Sequence, residues 1–283
     1  MTLLRRAWSN TVTLFLFTRS DFKTVVIPQT IFALSAAIIE AKDVAVRLPY
    51  AVAWIWIHIL VADLANQRLP ESVCEDKLNK PWRPIPAGRL TPRDAQIWLQ
   101  ITISFALLLS IMCNSLQPST TMMTLLWLYN DLDGSSIGPF QRNFLNAAGL
   151  ACFNWGGTSV LLGSCTDRVP FTNWIILLAF VVTTTVQVQD LPDMEGDRAR
   201  KRLTVPLVYG EEVGRWGPAV LAPAWSVICT VFWGTPILLA VIPFSISVVM
   251  AALIVLRRVQ ESDELGWKLW CLWMGCLYIL PLL

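Results

Sequence analysis

The chain has 283 residues, of which 55% are hydrophobic and only 15% are Asp, Glu, Lys or Arg, and its formal net charge is +2. Soluble domains carry about 25% charged residues, and collagen-like or low-complexity chains are far richer in Gly and Pro. The composition therefore excludes these classes and indicates an integral membrane protein with several spanning helices.

Apolar runs of the length that crosses a bilayer predict nine spanning helices. The fourth run is short, and Gly234 and Pro236 separate the seventh from the eighth. Residues 1–21 combine arginines with aromatic and aliphatic residues, which is typical of an amphipathic segment at the membrane interface. We therefore expect an all-α polytopic membrane protein with one domain over residues 1–283. The predicted spans lie near 22–40, 48–66, 92–112, 119–131, 143–163, 170–190, 216–235, 237–256 and 267–283.

The placement of the basic residues predicts the orientation of these spans. If the N-terminus lies in the cytosol and nine spans alternate, 19 of the 22 lysines and arginines fall on the cytosolic side. Lys42, Arg47 and Arg168 are the three that fall on the other side. This asymmetry is the one that the positive-inside rule describes, so we expect both long acidic loops to face the cytosol.

Two of these loops, residues 63–89 and 189–206, hold clustered carboxylates at the ends of predicted spans. Ionisable residues at membrane depth are costly and indicate function. In the second loop Asp190, Asp193 and Asp197 are spaced i, i+3 and i+7, so a helix projects all three from one face. In the first loop Asp63 and Asn66, with Gln67, repeat the pattern, and Glu75 and Asp76 add further oxygen ligands.

Oxygen ligands without Cys or His favour a hard cation, and Mg²⁺ fits best because it is usually held by one or two carboxylates plus phosphate oxygens. Basic side chains beside the carboxylates are suited to a phosphate group; they are Lys80, Arg83, Arg198, Lys201 and Arg202. The alternative is that both loops are solvated and that their basic residues only orient the protein. That alternative does not account for clustered aspartates.

The second acidic loop, Asp190-Leu-Pro-Asp-Met-Glu-Gly-Asp197, resembles the D-x-x-D-x-x-G-D motif of the UbiA superfamily of intramembrane prenyltransferases. The first loop departs from the family pattern. Its Asn66-Gln67, Glu75-Asp76 and Asn79-Lys-Pro-Trp-Arg-Pro84 look like the fungal branch of membrane-bound UbiA-type terpene cyclases. Tyr129-Asn130-Asp131 and Arg142-Asn143 also resemble that branch.

The resemblance implies nine helices around a central cavity that opens to the cytosol and binds a prenyl diphosphate, which we expect to be farnesyl diphosphate. It implies a Mg²⁺-dependent cyclase that ionises this substrate, forms a sesquiterpene hydrocarbon and releases diphosphate. We expect an endoplasmic reticulum location. The catalytic residues expected are Asp63, Asn66, Glu75, Asp76, Asp190, Asp193 and Asp197, all but Asp63 also being metal ligands. Those expected to bind diphosphate are Asn79, Lys80, Arg83, Asn130, Arg142, Arg198, Lys201 and Arg202.

Aromatic residues at helical spacing from the polar ones are candidates for stabilising a carbocation, because ring faces attract cations. Trp56 precedes Asp63 by seven residues, Trp127 precedes Asn130 by three, and Phe153 follows Asn146 by seven. The alternative for each ring is packing or a place at the membrane interface, which we expect for Trp98, Trp216 and Trp267 at span ends.

Two other functions use the same features. A prenyltransferase onto an aromatic or isoprenoid acceptor needs the same metal site. A transporter with an acidic cation site is disfavoured because the carboxylates cluster at one membrane face and no inverted repeat is visible. The partners expected are the prenyl diphosphate and membrane lipid, with no nucleic acid and no obligatory protein partner.

Overall fold

The computed structural model describes residues 3–37, 43–163 and 169–283, and all regular structure among them is helical. Short 3₁₀ or π segments at Arg19–Asp21, Phe22–Val26, Val186–Gln189 and Leu280–Leu282 connect or end the α-helices. The helices are α1 (Leu3–Thr18), α2 (Ile27–Ala37), α3 (Val44–Gln67), α4 (Pro70–Asn79), α5 (Pro92–Met112), α6 (Leu116–Asn130), α7 (Gly134–Ile137), α8 (Pro139–Leu162), α9 (Val169–Thr185), α10 (Asp190–Ala199), α11 (Val205–Val208), α12 (Glu211–Trp233), α13 (Ile237–Leu256) and α14 (Gln260–Tyr278).

Six helical segments of the described chain are long and apolar enough to cross a membrane. They are Val44–Gln67, Pro92–Met112, Phe171–Ala199, Glu211–Trp233, Ile237–Leu256 and Gln260–Leu282. The prediction of an all-α integral membrane protein is thereby confirmed, whereas the count of nine spans stays a prediction. Helix α6 has only 15 residues, and the second half of the first predicted span includes 38–40, outside the described residues.

Several predicted boundaries agree with the helices. The eighth predicted span, 237–256, coincides with α13. Gly234, with a φ of 63°, adopts the left-handed conformation that ends α12, and Pro236 immediately precedes α13. The glycine and proline signals therefore located this loop because each acts on the backbone locally.

The helices pack through three apolar clusters. One, around Trp174 and Trp273, joins α9, α12, α13 and α14. The second, around Trp54, joins α2, α3, α6 and α8, and the third, around Phe17 and Leu64, joins α1, α3 and α5. Residues of α3, α6, α8 and α14 border these clusters on one side and a shared cavity on the other. Apolar packing on the outer side therefore fixes the helices whose inner faces form that cavity.

Candidate active site

A cavity of about 280 Å³ lies among α3, α4, α6, α8, α10 and α14. Its polar part is lined by Asp21, Asp63, Asn66, Glu75, Lys80, Arg83, Asn130, Arg142, Asp193 and Arg202. Its apolar part is lined mainly by Val25, Ile59, Met122, Leu125, Leu126, Leu145, Leu150, Phe153, Val186, Trp267 and Trp270. The two predicted acidic loops thus contribute to one cavity with a charged part and a hydrocarbon-lined part.

The second acidic loop forms α10, a helix from Asp190 to Ala199, so the three aspartates do have helical spacing. Asp190 and Asp197 are buried, and Asp193 is half-buried on the cavity wall. Each carboxylate is paired with a cation. Arg142 Nη2 lies 2.8 Å from Asp190 Oδ1, Lys80 Nζ lies 3.0 Å from Asp193 Oδ2, and Arg202 Nη1 lies 3.1 Å from Asp197 Oδ1.

The first acidic loop forms α4, which starts at Pro70, a residue suited to the first turn because it lacks an N–H. Glu75 on α4 receives two arginines from the second loop: Arg200 Nη1 at 3.0 Å and Arg202 Nη1 at 3.2 Å. Burial by itself would raise the pKa of the Glu75 carboxyl. The positive charges of Arg202 and Arg200 outweigh burial, so the pKa of Glu75 lies below its ordinary value.

Asp76, the next residue on α4, pairs with Arg83 within the same loop, with Nη1 2.7 Å from Oδ1. Burial raises the pKa of Asp76, and the attraction of Arg83 offsets this only in part. Adjacent carboxylates on α4 thus have opposite pKa shifts. Glu75 faces two arginines and the cavity, whereas Asp76 has one arginine.

Helices α4 and α10 approach closely at Gly196, the glycine of the D-x-x-D-x-x-G-D motif. A Cβ at this position would lie 2.2 Å from Asn79 Nδ2. That amide donates a hydrogen bond to the main-chain carbonyl of Asp193 at 3.2 Å. Only glycine leaves room for this contact, which ties the end of one acidic helix to the first turn of the other.

The end of α3 supplies a third polar wall. Asn66 Nδ2 donates to Asn130 Oδ1 at 2.9 Å, which links α3 to the end of α6. Gln67 Nε2 donates to Asp63 Oδ1 and to the carbonyl of Phe17, both at 3.0 Å. The last turn of α1 is therefore tied to the polar wall, a contact that sequence periodicity did not indicate.

The structure places the basic residues of the second loop in different surroundings. Arg198 and Lys201, both expected to bind diphosphate, are exposed and do not line the cavity. Arg200, which was not among the candidates, is buried against Glu75 and donates to Ser72 Oγ at 2.7 Å. Arg200 stands at i+7 from Asp193 and i+3 from Asp197, so the helical spacing applied to the aspartates would have selected it.

The three aromatic candidates also differ in their position relative to the cavity. Phe153 lines the cavity, but Trp127 is 55% exposed on the outer side of α6, and Trp56 instead donates a hydrogen bond to Thr18. The prediction of cavity-facing rings at Trp56 and Trp127 is therefore not supported. Trp267, expected at the membrane interface, lines the cavity instead and stacks on Trp270, with ring centroids 4.9 Å apart.

The donor set suits a hard cation with phosphate ligands. Buried oxygens of Asp76, Asp190 and Asp197 have no hydrogen-bond partner among the described residues. In the same part of the chain, no group of three or more His, Cys, Asp or Glu side chains is already placed to hold a metal. Mg²⁺ fits such a site, because it takes only one or two carboxylates and completes its octahedron with water and phosphate.

Residues 26–273 match the UbiA prenyltransferase family. The somaliensene A/B synthase of Streptomyces somaliensis is 31% identical, covering 95% of this chain and 91% of that protein. The fumagillin beta-trans-bergamotene synthase of Aspergillus fumigatus is 27% identical, over 79% of this chain and 75% of that protein. A UbiA homologue from Archaeoglobus fulgidus, bound to DMAPP and Mg²⁺, has the same fold, with a TM-score of 0.69 at 12% identity and coverage of 94% and 98%. The chain therefore belongs to the UbiA prenyltransferase family.

Proposed function

We propose that the protein is a Mg²⁺-dependent membrane-bound terpene cyclase. In this proposal it ionises a prenyl diphosphate, most suitably farnesyl diphosphate, cyclises the carbocation to a sesquiterpene hydrocarbon and releases diphosphate. The observation that carries the proposal is the single cavity in which paired carboxylates and cations adjoin an aromatic and aliphatic wall. One part suits a metal–diphosphate group, and the other suits its prenyl tail.

The residues that would hold the metal are those expected from the sequence, of which Asn66, Glu75 and Asp193 line the cavity. They are Asn66, Glu75, Asp76, Asp190, Asp193 and Asp197. Bound Mg²⁺ supplies positive charge that stabilises the departing diphosphate oxygens. Cationic side chains of this cavity share that task, because charge develops on the leaving group as the carbon–oxygen bond breaks. These are Lys80, Arg83, Arg142 and Arg202, with Asn130 as a neutral donor in the cavity. Asn79 is a further neutral donor beside Asp193, and Arg200 holds Glu75 in place.

The apolar part suits the reactions of a carbocation. Ring faces attract a cation by about 0.5–2 kcal/mol, and the rings of Phe153, Trp267 and Trp270 line this part. Trp270 is fixed by a hydrogen bond from Nε1 to Thr185 Oγ1 at 3.0 Å. A cation enclosed by such walls meets its own alkenes rather than water. The names of the two synthases reported above also support cyclisation over transfer.

A prenyltransferase acting on an aromatic or isoprenoid acceptor is the second candidate. The family to which the chain belongs is named for this reaction, and the charged part of the cavity serves both chemistries equally. The two differ only in what meets the carbocation. An acceptor has to fit beside the prenyl chain in a transferase, whereas a cyclase excludes it.

The test is to incubate the purified chain with Mg²⁺ and one prenyl diphosphate at a time, without an acceptor, and to identify volatiles by mass spectrometry. We expect a cyclic hydrocarbon of unchanged carbon count, with farnesyl diphosphate as the best substrate, and an equal amount of inorganic diphosphate. Absence of hydrocarbon, with a prenylated product once a phenol or isoprenoid acceptor is supplied, would establish the transferase instead.

We further propose that the protein lies in the endoplasmic reticulum membrane with its charged loops in the cytosol. The asymmetry of lysines and arginines supports this orientation. Single cysteines at the exposed positions Lys77 and Glu195, in a background without reactive native cysteines, should react with an impermeant thiol reagent only from the cytosolic side. Labelling of the two positions from opposite sides would contradict a shared site.

A further inference from the structure

Asp63 has a distinctive environment within the polar wall. It lies on α3 one turn before Asn66, lines the cavity and is only 7% exposed. Its Oδ1 accepts the hydrogen bond from Gln67, which in turn is held by the carbonyl of Phe17. The orientation of the carboxylate is thereby fixed by neutral partners.

The other oxygen of Asp63, Oδ2, is buried and has no hydrogen-bond partner among the described residues. Every carboxylate of α4 and α10 described above pairs with an arginine or lysine, whereas Asp63 forms no ion pair within the described chain. Arg83, a cation on the same wall, is engaged by Asp76. Asp21, also on this wall, adds negative charge and accepts a hydrogen bond from Thr24.

This environment suits a proton acceptor better than a cation site. Ile59, one turn before Asp63 on α3, lines the apolar part of the cavity. The free oxygen therefore lies where the charged and hydrocarbon-lined parts meet, and a buried carboxylate without a cation gains free energy by taking up a proton.

We propose that Asp63 is the base that ends the reaction. A C–H bond beside the final carbocation breaks, its electron pair forms the new carbon–carbon double bond, and the proton passes to Asp63 Oδ2. The carbocation and the carboxylate are both neutralised, so charge and atoms balance, and the proton returns to water when the products leave. This proposal rests on the proposed cyclase function, because it assigns the step that converts a cyclic cation to a hydrocarbon.

The test is Asp63→Asn, which keeps an oxygen for Gln67 and replaces only the free one. The purified full-length variant is given Mg²⁺ and farnesyl diphosphate, and diphosphate release and hydrocarbon yield are measured together. We expect hydrocarbon formation to fall about 100-fold, the usual contribution of general base catalysis. Diphosphate release should stay within about threefold of wild type, since ionisation does not use this oxygen. Alcohols formed by water capture should replace the hydrocarbon.

Two further variants keep the result interpretable. Asp63→Glu retains a carboxylate and should restore part of the hydrocarbon yield, which a purely structural role would not predict. Glu195→Gln, an exposed carboxylate on α10, should leave both measurements unchanged. Size-exclusion elution and melting temperature of each variant establish that it is folded.

Three outcomes overturn the proposal. An unchanged hydrocarbon share in Asp63→Asn excludes a base role while leaving the cyclase function intact. Parallel loss of diphosphate release and hydrocarbon in a folded variant assigns Asp63 to ionisation instead. Wild-type protein that yields only a prenylated acceptor refutes the cyclase function itself, and this result is read from the wild type alone.

Discussion

Arg200 Nη1 lies 3.0 Å from Glu75 Oε2, and this buried pair joins the end of α10 to α4. The link between the two acidic helices thus includes a contact made by a basic residue of the second loop. Arg198, two positions earlier, is exposed. These two arginines form a matched pair for mutation, since they differ in burial and not in chemistry.

We expect Arg200→Ala to lower the free energy of unfolding by about 2 kcal/mol, because it removes hydrogen bonds to a charged group. This corresponds to a melting temperature about 5 °C lower. Arg198→Ala should shift melting by less than about 2 °C, as exposed substitutions usually do. Thermal unfolding in one detergent measures both. Equal effects of the two variants would contradict the assignment of Arg200.

The pKa of Glu75 predicts how pH affects the link between α4 and α10. Because arginines hold the pKa of Glu75 below its ordinary value, its contribution to stability is present above the unfolded-state value of 4.5 and is lost as pH falls through the folded-state pKa. Glu75→Gln should therefore be less stable than wild type at pH 7, by about 3 kcal/mol.

The gap between wild type and Glu75→Gln should shrink as pH falls below about 4.5, since the unfolded wild type then takes up a proton at Glu75 that the folded protein does not yet bind. The difference also includes a change at Asp76, whose pKa is raised first by burial and further by the neighbouring charge of Glu75. Melting temperatures from pH 7 down to about pH 3 measure the difference. A gap that is constant over this range would refute the ion pair's contribution.

Substituting the glycine of the second motif should disturb the contact between the acidic helices. The Cβ of Gly196→Ala would overlap Asn79, so we expect destabilisation by about 2 kcal/mol, as for overpacked sites. Gly275→Ala on α14 meets nothing within 4 Å and should be neutral or slightly stabilising. Adding Asn79→Ala to Gly196→Ala should recover part of the melting temperature, and failure to recover any would exclude the overlap as the cause.

Removal of metal ligands should abolish turnover without unfolding the protein. We expect Asp76→Ala, Asp190→Ala and Asp193→Ala each to lower diphosphate release about 1,000-fold, because leaving-group stabilisation is lost. Glu195→Ala, exposed on α10, is the control. Chelation of divalent cations should stop the wild type, and added Mg²⁺ should restore it. Turnover that survives chelation would contradict metal dependence.

The ring faces of the cavity should govern product identity rather than the rate of ionisation. Phe153→Leu keeps an apolar side chain but removes the ring, so linear or hydroxylated products should increase about fivefold, as expected for a cation–π loss near 1 kcal/mol. Trp270→Phe should keep more of the cyclic product. Trp127→Leu, on the outer side of α6, should leave the product ratio unchanged. Gas chromatography of the products measures the ratio of cyclic to linear and hydroxylated products in each variant.

The sequence was sufficient to predict the structural features that depend on local residue patterns. Helical spacing placed Asp190, Asp193 and Asp197 together on α10, and glycine and proline located the loop between α12 and α13. Composition was sufficient to predict a helical membrane protein, because apolar runs in a bilayer have few alternatives to helix.

The sequence could not predict which side chains face the cavity, because this depends on how each helix is rotated about its axis. Trp127 and Trp267 both lie on helices with aromatic and apolar residues on several sides, so periodicity could not distinguish a lipid-facing ring from a cavity-facing one. The opposite placements of these two tryptophans follow from packing between helices. Asp21 lines the cavity just after α1, and the packing of the last turn of α1 against α3 is a contact that no local spacing encodes.

Five carboxylates of α4 and α10 are paired with five cationic side chains: Glu75, Asp76, Asp190, Asp193 and Asp197 with Lys80, Arg83, Arg142, Arg200 and Arg202. A divalent metal that takes up the carboxylates frees cations for an anion, and an anion that takes up the cations frees carboxylates for the metal. Each ligand thus occupies the side chains whose ion pairs would otherwise compete with binding of the other ligand. By thermodynamic reciprocity, the factor by which diphosphate tightens metal binding must equal the factor by which metal tightens diphosphate binding.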